Sequence, residues 1–310
     1  MNVLVIGTGA VGSFYGALLA KSGAHVTLLA RSDYDPICHH GVDIHSETEL
    51  GNWHFTPTAV IRNAGEMASS PDYILLCIKV VEGASRTDLI RDAVGPDTCI
   101  VLLSNGIEIE DDIAAAFPDN EIISGLAFVC VTRTAPGQIW HQAYGRLAFG
   151  NYPEGSSGNV SALCEAFTRA GMGCDESHRI TSSRWQKCLW NAAFNPLSVL
   201  SGGLGTHDIL TTREPLVRSI MGEILQIAEA LGHTLPPHII DKQISSTHNM
   251  PPYKTSMLLD FEAGRPMETE VILGNAVRAG HRAGVAIPHL DTLYALMKLR
   301  ELGLKQTANG

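Results

Sequence analysis

The strongest constraint on the fold is a glycine-rich turn between an apolar run and a helical pattern at the start of the chain. The turn consists of Gly7, Thr8, Gly9, Ala10, Val11 and Gly12. After a strand and ahead of a helix, the pattern G-x-G-x-x-G is typical of dinucleotide binding. Gly7 permits the tight turn, Gly9 lets a pyrophosphate approach the backbone, and Gly12 lets the helix pack against the strand. We therefore predict that this turn binds a dinucleotide at the helix N-terminus, rather than being a turn that binds nothing.

The end of the second predicted strand, over residues 25–30, indicates which dinucleotide is bound. Enzymes that use NAD usually place Asp or Glu there, to bind the ribose 2′-hydroxyl. Here Arg31 and Ser32 follow the strand, and a cation with a hydroxyl suits a 2′-phosphate. The sequence thus predicts NADPH rather than NADH, with a surface arginine that caps the strand as the alternative for Arg31.

Composition excludes one class of partner. The 310 residues include 22 Lys and Arg against 32 Asp and Glu, which gives a net charge of −10. Because no basic cluster stands out, nucleic acid is not expected as a partner. A small anionic substrate remains compatible, since its site needs only local positive charge.

Cysteine usage and hydropathy indicate the compartment. The seven cysteines show no C-x-x-C spacing, and most lie in apolar surroundings, which is typical of reduced thiols. No apolar run approaches the roughly 20 residues of a membrane span, and the first strand leaves no room for a signal peptide. The histidines at 39, 40 and 45 lack metal-site spacing. We expect a cytoplasmic protein without a membrane partner or a metal.

The periodicity of the chain changes near residue 180. Strand patterns, including a hairpin built from residues 121–131, 138–141 and 146–149, give way to helical periodicity as far as Leu304. This predicts an α/β Rossmann-like dinucleotide-binding domain over residues 1–179 and an all-α domain over residues 180–310. The large helical part is compatible with a homodimer, although the sequence shows no interface.

Two further buried strands end in polar residues. Residues 73–78 lead to Lys79, and residues 99–103 lead to Ser104 and Asn105. Ligands of open parallel sheets bind beyond the carboxyl ends of the strands. We predict that Lys79 and Asn105 lie on the same rim as the glycine-rich turn. A solvated lysine at the strand end is the alternative for Lys79.

A helical stretch after residue 184 offers a proton donor. Lys187, Asn191 and Asn195 are spaced i, i+4 and i+8, so they share one helix face among apolar neighbours. In a pocket, burial would lower the pKa of the lysine towards a useful range. We expect Pro196 to bend the helix or end its regular hydrogen bonding. The alternative is an amphipathic helix with a polar outer face.

A second constellation comprises Ser256 and Glu268. Glu268 precedes a long helical pattern, where a first-turn carboxylate is favoured by the helix dipole. It could equally pair with Lys187 and keep the ammonium positioned and protonated. The sequence leaves both interpretations open.

Over nearly its whole length the chain resembles the ketopantoate reductase, or 2-dehydropantoate 2-reductase, family. The resemblance rests on the glycine motif with Arg31, on Lys79 and the Asn105-Gly106 pair, and most specifically on the stretch W-x-K-x-x-x-N-x-x-x-N-P-L. Trp185, Lys187, Asn191, Asn195, Pro196 and Leu197 match that stretch. Ser256-Met257, Glu268 and the ending from Gly284 to Pro288 also look like the family.

The resemblance implies specific roles for these residues. It implies that the N-terminal domain binds NADPH and that the helical domain over residues 180–310, like that of 6-phosphogluconate dehydrogenase, carries substrate binding and catalysis. The implied reaction is reduction of 2-dehydropantoate to (R)-pantoate on the way to pantothenate and coenzyme A. Lys187 would be the general acid, with Glu268 in contact with cofactor and substrate hydroxyl. Asn105, Asn191, Asn195 and Ser256 would bind substrate, Asn105 also lying near the nicotinamide.

Two stretches depart from the family pattern. Many members carry a stretch with threonine and histidine where this chain has Gly125–Cys130, and some carry a polar residue at the position of Gly205. Both departures bear on substrate selection. Two alternatives therefore stand beside ketopantoate reduction: reduction of another small 2-oxo acid, and a non-catalytic NADPH-binding sensor of the same fold.

Overall fold

The computed structural model describes residues 1–81, Gly83, residues 85–250 and residues 253–308. The chain separates into two compact units. The first comprises Met1–Lys79, Gly83–Ser104 and Ile109–Ile180. The second comprises Asn105–Glu108, a short segment that begins at Val80, and the chain from Thr181 onward.

In the first unit, ten strands among the described residues form one sheet. The strands are β1 (Asn2–Ile6), β2 (His25–Leu29), β3 (Val42–Ser46), β4 (Trp53–Phe55), β5 (Ala59–Ile61), β6 (Tyr73–Leu76), β7 (Cys99–Leu102), β8 (Ile122–Ala135), β9 (Gln138–Asn151) and β10 (Cys174–Glu176). The helices of this unit are α1 (Ala10–Lys21), α2 (Tyr34–His40), α3 (Arg86–Ile90), α4 (Asp111–Ala116) and α5 (Gly158–Arg169).

One side of the sheet is parallel, in the order β7-β6-β1-β2-β5, with β5 at the edge. β6 and β7 are buried along their whole length, and β1 is buried over its last four residues. Such continuous apolar runs are typical of parallel strands that are covered on both faces. The chain leaves β1 for β2 on one side and later places β6 on the other side, so the strand order reverses next to β1. Ligands of open α/β sheets bind at this kind of reversal.

An antiparallel hairpin extends the sheet beyond β7. β8 pairs with β7 in parallel and with β9 in antiparallel register, and β9 also pairs with β3 and β10. The predicted hairpin is therefore present. Aromatic side chains fill the core beneath it, where the Phe149 and Phe167 rings stack with centroids 5.8 Å apart.

The second unit is helical. From Ile180 onward the described residues contain α6 (Ile180–Leu200), α7 (Thr206–Ala230), α8 (Ile239–His248), α9 (Ser256–Glu262), a π-helical segment (Glu270–Gly274), α10 (Asn275–Ala283) and α11 (Pro288–Ala308). α6 continues through Pro196 to Leu200, and the bend expected at the proline stays a prediction. Proline removes only one N–H donor, and the fully buried Phe194 and Val199 anchor the helix on both sides of it.

The predicted fold class is confirmed: a Rossmann-like α/β part is followed by an all-α part. The cofactor and substrate roles assigned to residues 1–179 and 180–310 stay predictions. Within the described ranges, no helix combines the length and apolarity needed to span a membrane.

Replacing Gly12 with alanine should destabilise the first unit, whereas Gly9→Ala should not. A Cβ at Gly12 would lie 2.0 Å from the Gly7 carbonyl oxygen, while a Cβ at Gly9 would meet nothing within 4 Å. We expect Gly12→Ala to lower the free energy of unfolding by about 1–3 kcal/mol, as overpacking does. Urea denaturation of both variants measures this, and equal stability of the two would contradict the packing role of Gly12.

Candidate active site

The glycine-rich turn has the shape that a dinucleotide requires. Gly7 adopts φ +101°, which favours glycine, and Gly12 is pressed against the Gly7 carbonyl. Gly9 precedes α1 in an extended conformation, with open space where a side chain would stand. The first-turn N–H groups of α1 and the open backbone at Gly9 therefore fit a pyrophosphate.

The segment after β2 contains an exposed arginine, Arg31, and a buried aspartate, Asp33. Arg31 is exposed, and its side chain forms no hydrogen bond or ion pair with the residues described. Asp33 is only 1% exposed, and its carboxylate accepts from the Ser32 hydroxyl at 2.9 Å and pairs with the Arg133 guanidinium. The acid nearest to the end of β2 is thus turned inward and paired, whereas Arg31 is accessible.

Lys187, Asn191 and Asn195 all lie on α6. Lys187 is partly buried, and the two asparagines are 9% and 2% exposed. Neither asparagine amide has a hydrogen-bond partner within the part of the chain that the structure describes. Buried amides normally find partners, so this pair is available to a ligand.

A hydrogen-bonded trio is formed by Lys187, Asn105 and Glu268. The Lys187 ammonium donates to the Asn105 side-chain oxygen at 3.0 Å, and the Asn105 amide nitrogen donates to Glu268 Oε2 at 3.0 Å. The amide orientation is fixed chemically, because an ammonium only donates and a carboxylate only accepts. The structure therefore brings together three residues that lie far apart in the sequence, all of them within the second unit.

The Asn105–Glu108 segment is attached to the π-helical segment by backbone contacts. The Ile107 N–H donates to the Val271 carbonyl at 3.1 Å, and the Asn275 amide donates to the Ile107 carbonyl at 2.7 Å. Gly106 has φ +100°, and a Cβ there would lie 2.6 Å from Val271 Cβ. Glycine at 106 is thus required for the approach that places Asn105 beside Glu268.

Glu268 is nearly buried, two residues before the π-helical segment, and its second oxygen accepts from the Val80 N–H at 3.4 Å. Its Oε2 accepts from Asn105, which also accepts from the Lys187 ammonium, and its charge favours the protonated lysine. Both interpretations of Glu268 drawn from the sequence therefore stay open. π-Helical turns often occur at functional sites.

Burial and a nearby charge lower the pKa of the Lys187 ammonium. Burial and the nearby Arg184 guanidinium lower the pKa of Lys187 to about 8, and the Glu268 carboxylate opposes this shift. A lysine with this pKa is still mostly charged at neutral pH, yet it releases its proton far more readily than an exposed lysine. Lys187 is accordingly suited to proton transfer.

Arg184 is a residue of this site that the sequence reasoning did not single out. It is 2% exposed and donates to the Gly106 carbonyl at 3.2 Å. Its place three residues before Lys187, on the same helix face, was the available signal. A buried guanidinium here both supports the Asn105 segment and lowers the pKa of the lysine.

Ser256 is exposed at the first position of α9. Thr255 caps this helix, since its hydroxyl accepts from the Leu258 N–H at 3.2 Å and contacts the Ser198 hydroxyl at 2.6 Å. No hydrogen bond joins Ser256 to the trio among the residues described. The serine is thus held by a rigid helix start and its hydroxyl is accessible.

Packing accounts for glycine at position 125 but leaves ordinary contact distance at position 205. A Cβ at Gly125 would lie 2.5 Å from the Phe149 ring, so a larger residue would displace a core aromatic. Gly205 caps α7, and its Cβ would lie 3.4 Å from the Tyr253 carbonyl. Lys79 follows the end of β6 and is partly buried within the first unit.

Removing the Glu268 charge should lower the pKa of Lys187 below its value of about 8, because the carboxylate favours the charged ammonium. We expect this downward shift in Glu268→Gln, followed by NMR titration of the lysine side chain. Glu270→Gln is the matched control, since Glu270 pairs with Lys298 and Arg278. An unchanged or raised lysine pKa in Glu268→Gln would contradict this electrostatic coupling.

Comparison with known proteins agrees with the geometry. Residues 3–154 match the family described as ketopantoate reductase PanE/ApbA, and residues 179–301 match its C-terminal counterpart. A 2-dehydropantoate 2-reductase of Nostoc sp. is 30% identical, covering 95% of this chain and 93% of its own length.

Solved structures extend the likeness to the whole fold. The crystal structure of 2-dehydropantoate 2-reductase from Methylococcus capsulatus is 65% identical, covers 98% of both chains and superposes with a TM-score of 0.94. A D-mandelate dehydrogenase in complex with NADH and anilino(oxo)acetate shares the fold at 24% identity, covers 98% of this chain and all of its own, and has a TM-score of 0.87. Together with the site geometry, these matches establish that the chain belongs to the ketopantoate reductase family of dinucleotide-dependent oxidoreductases.

Proposed function

We propose that this protein catalyses the NADPH-dependent reduction of 2-dehydropantoate to (R)-pantoate, a step of pantothenate and coenzyme A synthesis in the cytoplasm. The single observation that carries the proposal is the Lys187–Asn105–Glu268 trio with its lowered lysine pKa. Proton donors whose pKa lies close to working pH are the most effective general acids. A protein that only binds the cofactor has no need of such a donor.

The residues of the first unit fit NADPH. The glycine-rich turn accommodates the pyrophosphate, and the Arg31 guanidinium binds the 2′-phosphate. Lys79 provides a second cation for the cofactor. Because Asp33 is buried and paired with Arg133, the acid nearest to the end of β2 is not available to bind a 2′-hydroxyl. When bound, NADPH supplies the hydride for the reaction.

Lys187 supplies the proton. As the substrate C2 carbonyl is reduced, negative charge develops on its oxygen, and the Lys187 ammonium both stabilises that charge and donates the proton that completes the hydroxyl. Asn105 holds the ammonium through its side-chain oxygen, and Glu268 fixes Asn105 from the other side. The lysine therefore needs little reorganisation when charge develops.

The remaining residues bind substrate. The amides of Asn191 and Asn195 have no hydrogen-bond partner among the described residues, and they offer donors and acceptors to the hydroxyl and carbonyl groups. The exposed Ser256 hydroxyl offers a donor to the carboxylate. Glu268 also accepts from the substrate hydroxyl. This assignment gives both amides a role in binding substrate.

A substrate panel tests the function. NADPH oxidation is followed with 2-dehydropantoate, pyruvate, 2-oxoisovalerate and phenylglyoxylate, and then repeated with NADH. We expect the highest kcat/KM for 2-dehydropantoate with NADPH. A preference for another acid would keep the chemistry and reject the substrate, whereas cofactor binding without turnover of any acid would favour the sensor.

Replacement of the proposed proton donor should abolish most turnover while leaving the cofactor bound. We expect Lys187→Ala to lower kcat on the order of 10²-fold or more, the contribution of a general acid. Lys187→Arg keeps a cation that does not release its proton at working pH, so it should be nearly as impaired. Lys254→Ala removes an exposed lysine paired with Glu262 and serves as the control. Near-normal turnover in Lys187→Ala would reject the mechanism.

Removal of Arg31 should weaken NADPH binding selectively. Loss of one charge-assisted hydrogen bond costs about 1.5–3 kcal/mol, so Arg31→Ala should raise the Kd of NADPH on the order of 10- to 100-fold and leave that of NADH nearly unchanged. Arg169→Ala, which removes an exposed arginine on α5 beside Glu165, is the control for net charge. Titration by cofactor fluorescence measures both constants, and equal losses for both cofactors would exclude contact with the 2′-phosphate.

A further inference from the structure

Two cysteine thiols of the first unit are in direct contact. Cys164 lies within α5 and Cys174 begins β10, and the Cys174 thiol donates to Cys164 Sγ at 3.1 Å. Cys164 is 5% exposed, and Cys174 is partly exposed. Both are free thiols in the structure, and neither belongs to the proposed catalytic machinery.

We propose that Cys164 and Cys174 form a reversible oxidation site, at which a peroxide converts the two thiols into an intramolecular disulfide. The sulfur atoms of a disulfide are about 2.05 Å apart, so the two sulfurs need to approach by about 1 Å. Because β10 is a three-residue strand that pairs only with β9 among the described strands, small side-chain rotations with a slight shift of this strand can supply that approach.

The contact also assigns the chemical roles. Donation by Cys174 lowers the pKa of Cys164, while the same contact and burial raise the pKa of Cys174 far above its ordinary value. The Cys164 thiolate attacks one peroxide oxygen, and the O–O bond breaks. Hydroxide is the leaving group, and Cys164 becomes a sulfenic acid. The Cys174 sulfur then attacks Cys164 Sγ and expels the sulfenic hydroxyl, which takes up the thiol proton and leaves as water. Two thiols are oxidised and one peroxide is reduced to two waters.

Other buried cysteines have a different environment. The Cys99 thiol donates to Glu121 Oε2 at 3.6 Å, and the Cys188 thiol donates to the Ile272 carbonyl at 3.7 Å. Burial raises the pKa of both thiols to about 12. Because their thiols face oxygen atoms and stay protonated, Cys99 and Cys188 are poor nucleophiles.

A bridge here would fasten α5 to the sheet. Phe167, one helical turn after Cys164, packs edge-to-face against Tyr15 of α1 with ring centroids 5.7 Å apart. The disulfide would therefore restrain a helix that supports α1, the helix behind the glycine-rich turn. Cross-links also restrict the unfolded chain, so the oxidised protein should unfold at a higher temperature than the reduced protein.

The test uses the full chain carrying Cys38→Ser, which removes an exposed thiol that could join two molecules. After brief treatment with hydrogen peroxide, remaining thiols are alkylated and the intact protein and its peptides are weighed. We expect two thiols to be lost, a mass decrease of about 2 Da before alkylation, and a peptide linking residues 164 and 174. Dithiothreitol should restore both thiols.

A double variant without Cys174 separates disulfide formation from other oxidation of Cys164. In Cys38→Ser/Cys174→Ser the linked peptide is absent by design, and we expect Cys164 to advance to sulfenic and sulfinic acid instead. Oxidation should raise the thermal midpoint of the Cys38→Ser protein by several degrees and should not raise that of the double variant. Absence of the linked peptide, or equal peroxide-induced shifts in both proteins, would overturn the proposal.

Discussion

The side-chain amide of Asn105 joins the two charges on which the site depends. It accepts from the Lys187 ammonium and donates to the Glu268 carboxylate, each at 3.0 Å. Burial and the Arg184 guanidinium lower the pKa of Lys187 to about 8, and the Glu268 carboxylate opposes this shift. This balance keeps the lysine mostly protonated at neutral pH and able to give up its proton.

Backbone contacts fix the position of Asn105 in the site. Gly106 allows the chain to pass against Val271, and the Ile107–Val271 hydrogen bond fixes the segment beside the π-helical turn. Arg184 adds a buried contact to the Gly106 carbonyl. Asn105 is therefore held by its neighbours in the chain as well as by its own side chain, which is the support that a preorganised site needs.

Local patterns in the sequence were sufficient to predict the fold, and together with the family resemblance they indicated the candidate residues. The apolar run before Gly7 and the change of periodicity near residue 180 predicted a Rossmann-like part followed by helices, and the i, i+4, i+8 spacing predicted the face that carries Lys187. Long-range pairing was not accessible in this way, because nothing near Glu268 indicates that its partner is Asn105, 163 residues earlier. Arg184 was missed since a buried arginine resembles a surface one in sequence.

The central claim is that Lys187 donates the proton, and the pH dependence of hydride transfer tests it most directly. Single-turnover oxidation of NADPH with saturating 2-dehydropantoate should proceed at a constant rate below the lysine pKa of about 8 and should decline as the pH rises through it, because only the protonated lysine can donate. Above that value the rate should fall about tenfold per pH unit. A rate that stays level from pH 6 to pH 10 would contradict the account.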